Sequence, residues 1–150
     1  MVFALFGLSP AFIAARDDRV QAFKAGIEVV RNVHPSMTIG MLYTLLTAAE
    51  YYDIHFMQKK DMSALAEQVG VPYTTLVRQV ELLGEGIAKR GGLGLVEKHS
   101  APYNGKAKIV RITDEGLRMM QSIIEAMKEC EAKIAATEQS DGSPRIGSEG

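Results

Sequence analysis

The chain holds one cysteine, Cys130, and no tryptophan in 150 residues. A single thiol closes no intrachain disulfide, which favours a reducing, cytoplasmic setting. The formal net charge is −1, so whole-chain charge neither announces nor excludes a polyanionic partner. Apolar runs of membrane-spanning length are missing as well. The N-terminal stretch MVFALFGLSPAFIAA is apolar, but it lacks a basic start, contains Pro10 and is too short to cross a bilayer. It reads as a segment buried against protein, with another subunit as the candidate. His34, His55 and His99 are widely separated, and Glu50, Asp53 and His55 lack the tight spacing of a zinc ligand set. No P-loop, Gly-x-Gly-x-x-Gly cradle or nucleophile–base pair occurs. The expectation is a non-enzyme with no cofactor and no membrane association, whose Cys130 is a bystander or interface residue.

What is present suits a soluble globular domain: 47% hydrophobic and 23% charged residues, in a chain long enough to bury a core. Residues 1–136 read as one domain. Residues 137–150, almost without apolar side chains, read as a disordered tail. Charge is unevenly distributed. Between Val71 and Arg111 stand Arg78, Lys89, Arg90, Lys98, Lys106, Lys108 and Arg111 against Glu81, Glu85 and Glu97, whereas the chain after Met119 is mainly acidic. A basic middle is the polarity expected of a phosphate-contacting surface.

Ser9 and Pro10 open a first helix as N-cap and first helical residue. Phe12, Val20, Phe23, Ile27 and Val30 then form an apolar stripe up to about Val33. A second helix over 38–53 is apolar on most sides, which places it in the middle of the fold. A third begins at Asp61, a natural N-cap, and stops at Gly70, which can take the positive φ of a tight turn. A fourth starts near Pro72. Leu65, Val69 and Ala66 on one helix and Leu76, Val80 and Leu83 on the next describe two short helices crossing steeply around one seam. The last helix follows the cap Thr113, carries Leu117, Met120, Ile124 and Met127 at helical spacing, and reaches about Ala136. Its stripe is longer than a small domain can cover, so it reads as half of a dimer interface.

The outer face of the fourth helix presents Tyr73, Thr74, Thr75, Val77 and Arg78, with Gln79 to one side. Arg78 can donate to both guanine O6 and N7, and the Thr74 methyl or Val77 can pack on a thymine methyl. The hydroxyls and free amides at the helix start can reach phosphate. Downstream, LGLVEKHSAPYNGKAKIVRIT reads as a β-hairpin. Asn104-Gly105 is the expected type I′ turn, which sets Lys98 opposite Arg111 and Tyr103 opposite Lys106. Leu95, Val110 and Ile112 then share one face, and Val96 and Ile109 the other. An anion between Lys98 and Arg111 would relieve their repulsion. The preceding GEGIAKRGG either extends the basic surface through Lys89 and Arg90 or makes a mobile glycine loop.

A helix-turn-helix over 61–83, entry to a hairpin through Gly94-Leu95-Val96-Glu97 and exit through Ile112-Thr113-Asp114-Glu115-Gly116 together resemble the MarR family of winged-helix transcription regulators. The resemblance implies a mainly α fold with a small β-hairpin (α+β), a winged helix-turn-helix with N- and C-terminal dimerisation helices. It implies a homodimer binding double-stranded DNA at a palindromic site, a repressor, with a small-molecule effector as a further partner. Tyr43, Tyr51, Tyr52, Phe56 and Met57 are candidate lining for an effector pocket, and core packing explains them equally well. The implied contacts are Tyr73, Thr74, Thr75, Val77, Arg78 and Gln79 in the major groove and Lys98, Lys106, Lys108 and Arg111 along the backbone. This wing has Tyr103-Asn104-Gly105-Lys106 where the family carries an arginine pattern, so its contacts are expected to stop at phosphate. The alternative is a winged helix that docks on another polypeptide.

Overall fold

The computed structural model describes residues 7, 9–50, 61–87, 90–101 and 104–149, with side chains as far as Gln139 apart from those of Arg90 and Asn104. The chain divides into two compact units, Met1–Val33 with Gln121–Gly150, and His34–Met120.

In the first unit the single N-terminal helix expected from the stripe is two, α1 (Pro10–Ala15) and α2 (Asp18–Val33). Ser9 caps α1 as expected, its Oγ accepting from Phe12 N at 3.1 Å, and Pro10 takes the first helical position. The break lies at Arg16–Asp17. Asp17 Oδ1 accepts from Arg19 N at 2.8 Å, and the carboxylate also holds the Arg19 guanidinium at 2.9–3.1 Å, which restarts the helix. These bonds from Arg19 hold the Asp17 carboxyl down at about 2, from an ordinary 3.8.

The buried face of α2 shares only Val30 with the expected stripe. Ala22, Gly26 and Val30 are buried, while Val20, Phe23 and Ile27 are 44%, 63% and 38% exposed. The small face admits the last helix, α6 (Asp114–Glu149). A Cβ on Gly26 would stand 3.1 Å from Ile123 Cγ2 and 3.3 Å from Met127, so glycine there allows the close approach. The helix continues past Ala136 to Glu149, across the segment read as a tail.

The second unit contains α3 (Ile39–Glu50), α4 (Met62–Val69), α5 (Tyr73–Leu83), two small hairpins and the first turns of α6. Asp61 caps α4, its Oδ1 accepting from Ala64 N at 3.0 Å, and Gly70 ends it at φ 83°. Leu45, Leu76, Val80, Leu83 and Leu95 are fully buried, with Met41, Leu65 and Ala66 around them. Each large side chain of this set contributes about 1.5–3 kcal/mol by leaving water. α3 packs against α4, α5 and the hairpin strand Asn104–Ile112, as its apolar character predicts. It is not buried all round, however: Ile39 is 84% and Tyr43 55% exposed. Residues 51–60, the rest of the expected second helix, lie outside the described residues.

After α5 the glycine-rich link forms a minimal ladder, β1 (Gly86–Ile87) with β2 (Arg90–Gly91). Lys89 lies outside the described residues. The larger hairpin pairs β3 (Val96–Ala101) antiparallel with β4 (Asn104–Ile112). Its register is one residue from the expected one. Val96 faces Ile112, Glu97 faces Arg111 and Lys98 faces Val110, with an irregularity between Ser100 and Ala101. Asn104 and Gly105 belong to the strand, and Gly105 lacks the positive φ of a type I′ turn. The strands are joined through Pro102 and Tyr103, which lie outside the described residues, as does the expected pairing of Tyr103 with Lys106.

The register is set at the base of the hairpin. Thr113 N donates to Leu95 O at 3.0 Å, and Thr113 Oγ1 donates to Gly94 O at 2.6 Å while accepting from Gly116 N. Leu95, Val96 and Ile112 are buried there, and a one-residue slip would turn them out.

Candidate nucleic-acid interface

The start of α5 is open. Its N-cap is Pro72, which offers no side-chain cap, and the first intrahelical bond of the turn is Leu76 N to Pro72 O at 3.0 Å. The amides of Tyr73, Thr74 and Thr75 therefore point out of the helix end with the positive end of its dipole, a setting suited to phosphate. Tyr73, Thr74, Thr75 and Arg78 are exposed, Val77 is half-buried, and Leu76, Val80 and Leu83 hold the opposite face in the core. Arg78 makes no hydrogen bond or ion pair among the described residues. Its five donors remain available to an acceptor pair such as a guanine edge or a phosphate.

Gln79 is placed differently. Its Oε1 accepts from Thr44 Oγ1 of α3 at 2.6 Å, so the carboxamide faces the protein. Thr44 is 1% exposed and was not singled out in the sequence. The available signal was a threonine on the apolar side of an otherwise hydrophobic helix, a polar group that must find a partner when buried.

On the wing, Lys106 and Lys108 are exposed near the tip. Lys108 Nζ donates to Ser100 Oγ at 3.1 Å. Lys98 reaches back to Glu81 on α5 at 3.8 Å, a half-exposed pair that ties wing to helix but adds little stability. Arg111 is paired across the ladder with Glu97. The expected like-charge pair of Lys98 and Arg111 is thus replaced by an opposite-charge neighbour, and the anion invoked to relieve it is unnecessary. All these cations sit in the same compact unit as α5.

Other sequence candidates have simpler placements. Among the described residues, no group of three His, Cys, Asp or Glu side chains is arranged to hold a metal. Asp53 and His55 lie outside the described residues, as do Tyr51, Tyr52, Phe56 and Met57 of the expected effector pocket. Cys130 is half-buried and lines an open groove of about 650 Å³ in the first unit, together with Gln21, Ala25, Val29 and Lys133. No helix among the described residues is long and apolar enough to cross a membrane.

No protein-family model and no curated protein matches the chain. Solved structures do. The transcriptional regulator Tm0710 from Thermotoga maritima superposes with a TM-score of 0.60, covering 93% of this chain and 85% of its own at 19% identity. RV1404 from Mycobacterium tuberculosis gives 0.58, covering 77% of this chain and 70% of its own at 18% identity. MarR gives 0.50, covering 85% of each chain at 17% identity. The chain has the MarR-type winged-helix fold, mainly α with a small β-hairpin.

Proposed function

We propose that this protein is a MarR-type transcription regulator that binds double-stranded DNA sequence-specifically. One observation carries the reading: an uncapped, exposed α5 N-terminus with an Arg78 that has no partner among the described residues, in the same unit as a cationic hairpin. In this reading Tyr73, Thr74, Thr75, Val77 and Arg78 enter the major groove, the first two also touching phosphate. Lys98, Lys106, Lys108 and Arg111 follow the flanking backbone. Gln79 stays with α3. The exposed stripe of Phe12, Val20, Phe23 and Ile27 supports a homodimer, since a second copy is the commonest cover for such a face. A twofold dimer reads a palindrome, and occupying a promoter in this way represses it. A small molecule that favours one spacing of the two reading heads would act as effector. The protein works without a cofactor, inside the cell, and residues 137–150 are dispensable for DNA binding.

Gel-shift titration over a range of salt concentrations tests this. If roughly six to ten phosphates are neutralised per dimer, affinity falls by orders of magnitude between low and physiological salt. Arg78→Ala lowers the preference for the specific duplex, whereas Lys106→Ala weakens all duplexes alike and flattens the salt slope. Absence of salt-sensitive duplex binding refutes the proposal. The second reading, a winged helix that docks on a polypeptide, draws on Lys98 and Lys108 already having protein partners. It predicts a partner retained after nuclease treatment and not displaced by duplex DNA.

A further inference from the structure

We infer that Gly40, Thr44 and Gln79 form a latch that fixes the rotation of α5 about its own axis, which makes Gln79 a positioning residue for base reading. The inference rests on the DNA-binding proposal. Thr44 and Thr47 are both buried on α3, yet they are satisfied differently. Thr47 Oγ1 donates within its own helix, to Tyr43 O at 2.8 Å. Thr44 Oγ1 donates across to Gln79 Oε1 at 2.6 Å. One turn before Thr44, on the same side of α3, stands Gly40. A Cβ on Gly40 would lie 2.9 Å from Gln79 Nε2, closer than such atoms approach. Gly40 is exposed and helical, where alanine would suit the helix better. The glycine and the threonine thus make a notch one turn long that takes both ends of a single carboxamide.

The residues that α5 buries are apolar. Leu76, Val80 and Leu83 provide attraction with little directionality, and a helix seated on them alone can roll by some degrees. A hydrogen bond from a buried hydroxyl does not allow that roll. Gln79 directly follows Arg78, so the notch sets where the guanidinium points. Two-point donation to a base edge depends on that direction far more than attraction to phosphate does.

The test uses the full chain with Thr44→Ser, Thr44→Val and Gly40→Ala, and a duplex selected by the wild type against a scrambled duplex of equal length. The readout is the ratio of the two affinities, alongside the salt slope and the melting temperature. Thr44→Ser keeps the donor and retains the ratio. Thr44→Val and Gly40→Ala reduce it roughly three- to tenfold, the size of one net hydrogen bond, and leave scrambled-duplex affinity and salt slope unchanged. Gly40→Ala leaves the melting temperature nearly unchanged, because the helix preference of alanine offsets the hydrogen bond lost. Specificity then falls without a loss of stability, which a merely structural contact does not produce. Retention of the ratio in both Thr44→Val and Gly40→Ala overturns the latch, as does an equal loss of affinity for both duplexes. A wild type that prefers no duplex is a different result: it overturns the DNA-binding proposal and leaves the latch nothing to position.

Discussion

Phe23 on α2 is the side chain through which the dimer proposal is most exposed to refutation. Sequence periodicity puts it in an apolar stripe with Val20, Ile27 and Val30, but of these only Val30 joins Ala22 and Gly26 on the buried face of α2, and Phe23 is left 63% exposed. Full burial of a phenylalanine side chain contributes about 1.5–3 kcal/mol, so a cover over the exposed part adds roughly 1–2 kcal/mol. In a twofold dimer the residue occurs twice, and Phe23→Ala should therefore weaken association by about 2–4 kcal/mol, some 30- to 900-fold in the dimer Kd. Sedimentation equilibrium across a concentration series measures this directly. The melting temperature of the dissociated chain should move little, because the folded subunit makes little use of this ring. Val30→Ala is the contrasting control: Val30 is 6% exposed, and its truncation should destabilise the subunit itself. A dimer Kd unchanged by Phe23→Ala, or a monomer that unfolds because of it, refutes the assignment of this stripe to an interface.

Three further outcomes are expected. Asp61→Ala removes the cap on α4 and should cost about 1 kcal/mol of stability, read as a lower urea midpoint; no change would mean the cap is redundant. The Asp17 carboxyl should titrate near 2 in carboxyl-carbon NMR and return toward 3.8 in Arg19→Gln. Because its folded value is depressed, its contribution is present above the ordinary carboxylate range and fades as pH falls toward 2; a midpoint near 3.8 in the wild type contradicts the Asp17–Arg19 geometry. Ending the chain at Ala136 should leave duplex affinity unchanged, and a large drop would assign residues 137–150 a role in binding.

The elements legible in the sequence are those whose chemistry is local. Ser9-Pro10, Asp61, Gly70 and Thr113 each act within a few residues, through a cap or a left-handed turn, and each does in the fold what its type implies. Asn104-Gly105 is also a local signal, yet it loses. The ladder is pinned at its other end by Thr113 on Leu95 and by the burial of Val96 with Ile112, and that sets the register regardless of the favoured turn. The change moves Arg111 from opposite Lys98 to opposite Glu97 and alters the electrostatic reading of the wing. The α1–α2 break was hidden because Asp17 and Arg19 read as ordinary polar helix residues until they pair. Gln79 was hidden for the opposite reason: its partner Thr44 is 35 residues away, and no periodicity within α5 separates a side chain facing solvent from one facing a neighbour's hydroxyl.

Selection of bound sequences from a random duplex pool tests the central claim most directly. The account predicts an enriched palindrome whose half-sites lie about one helical turn apart, with the enrichment lost in Arg78→Ala. A pool that emerges without sequence enrichment contradicts it.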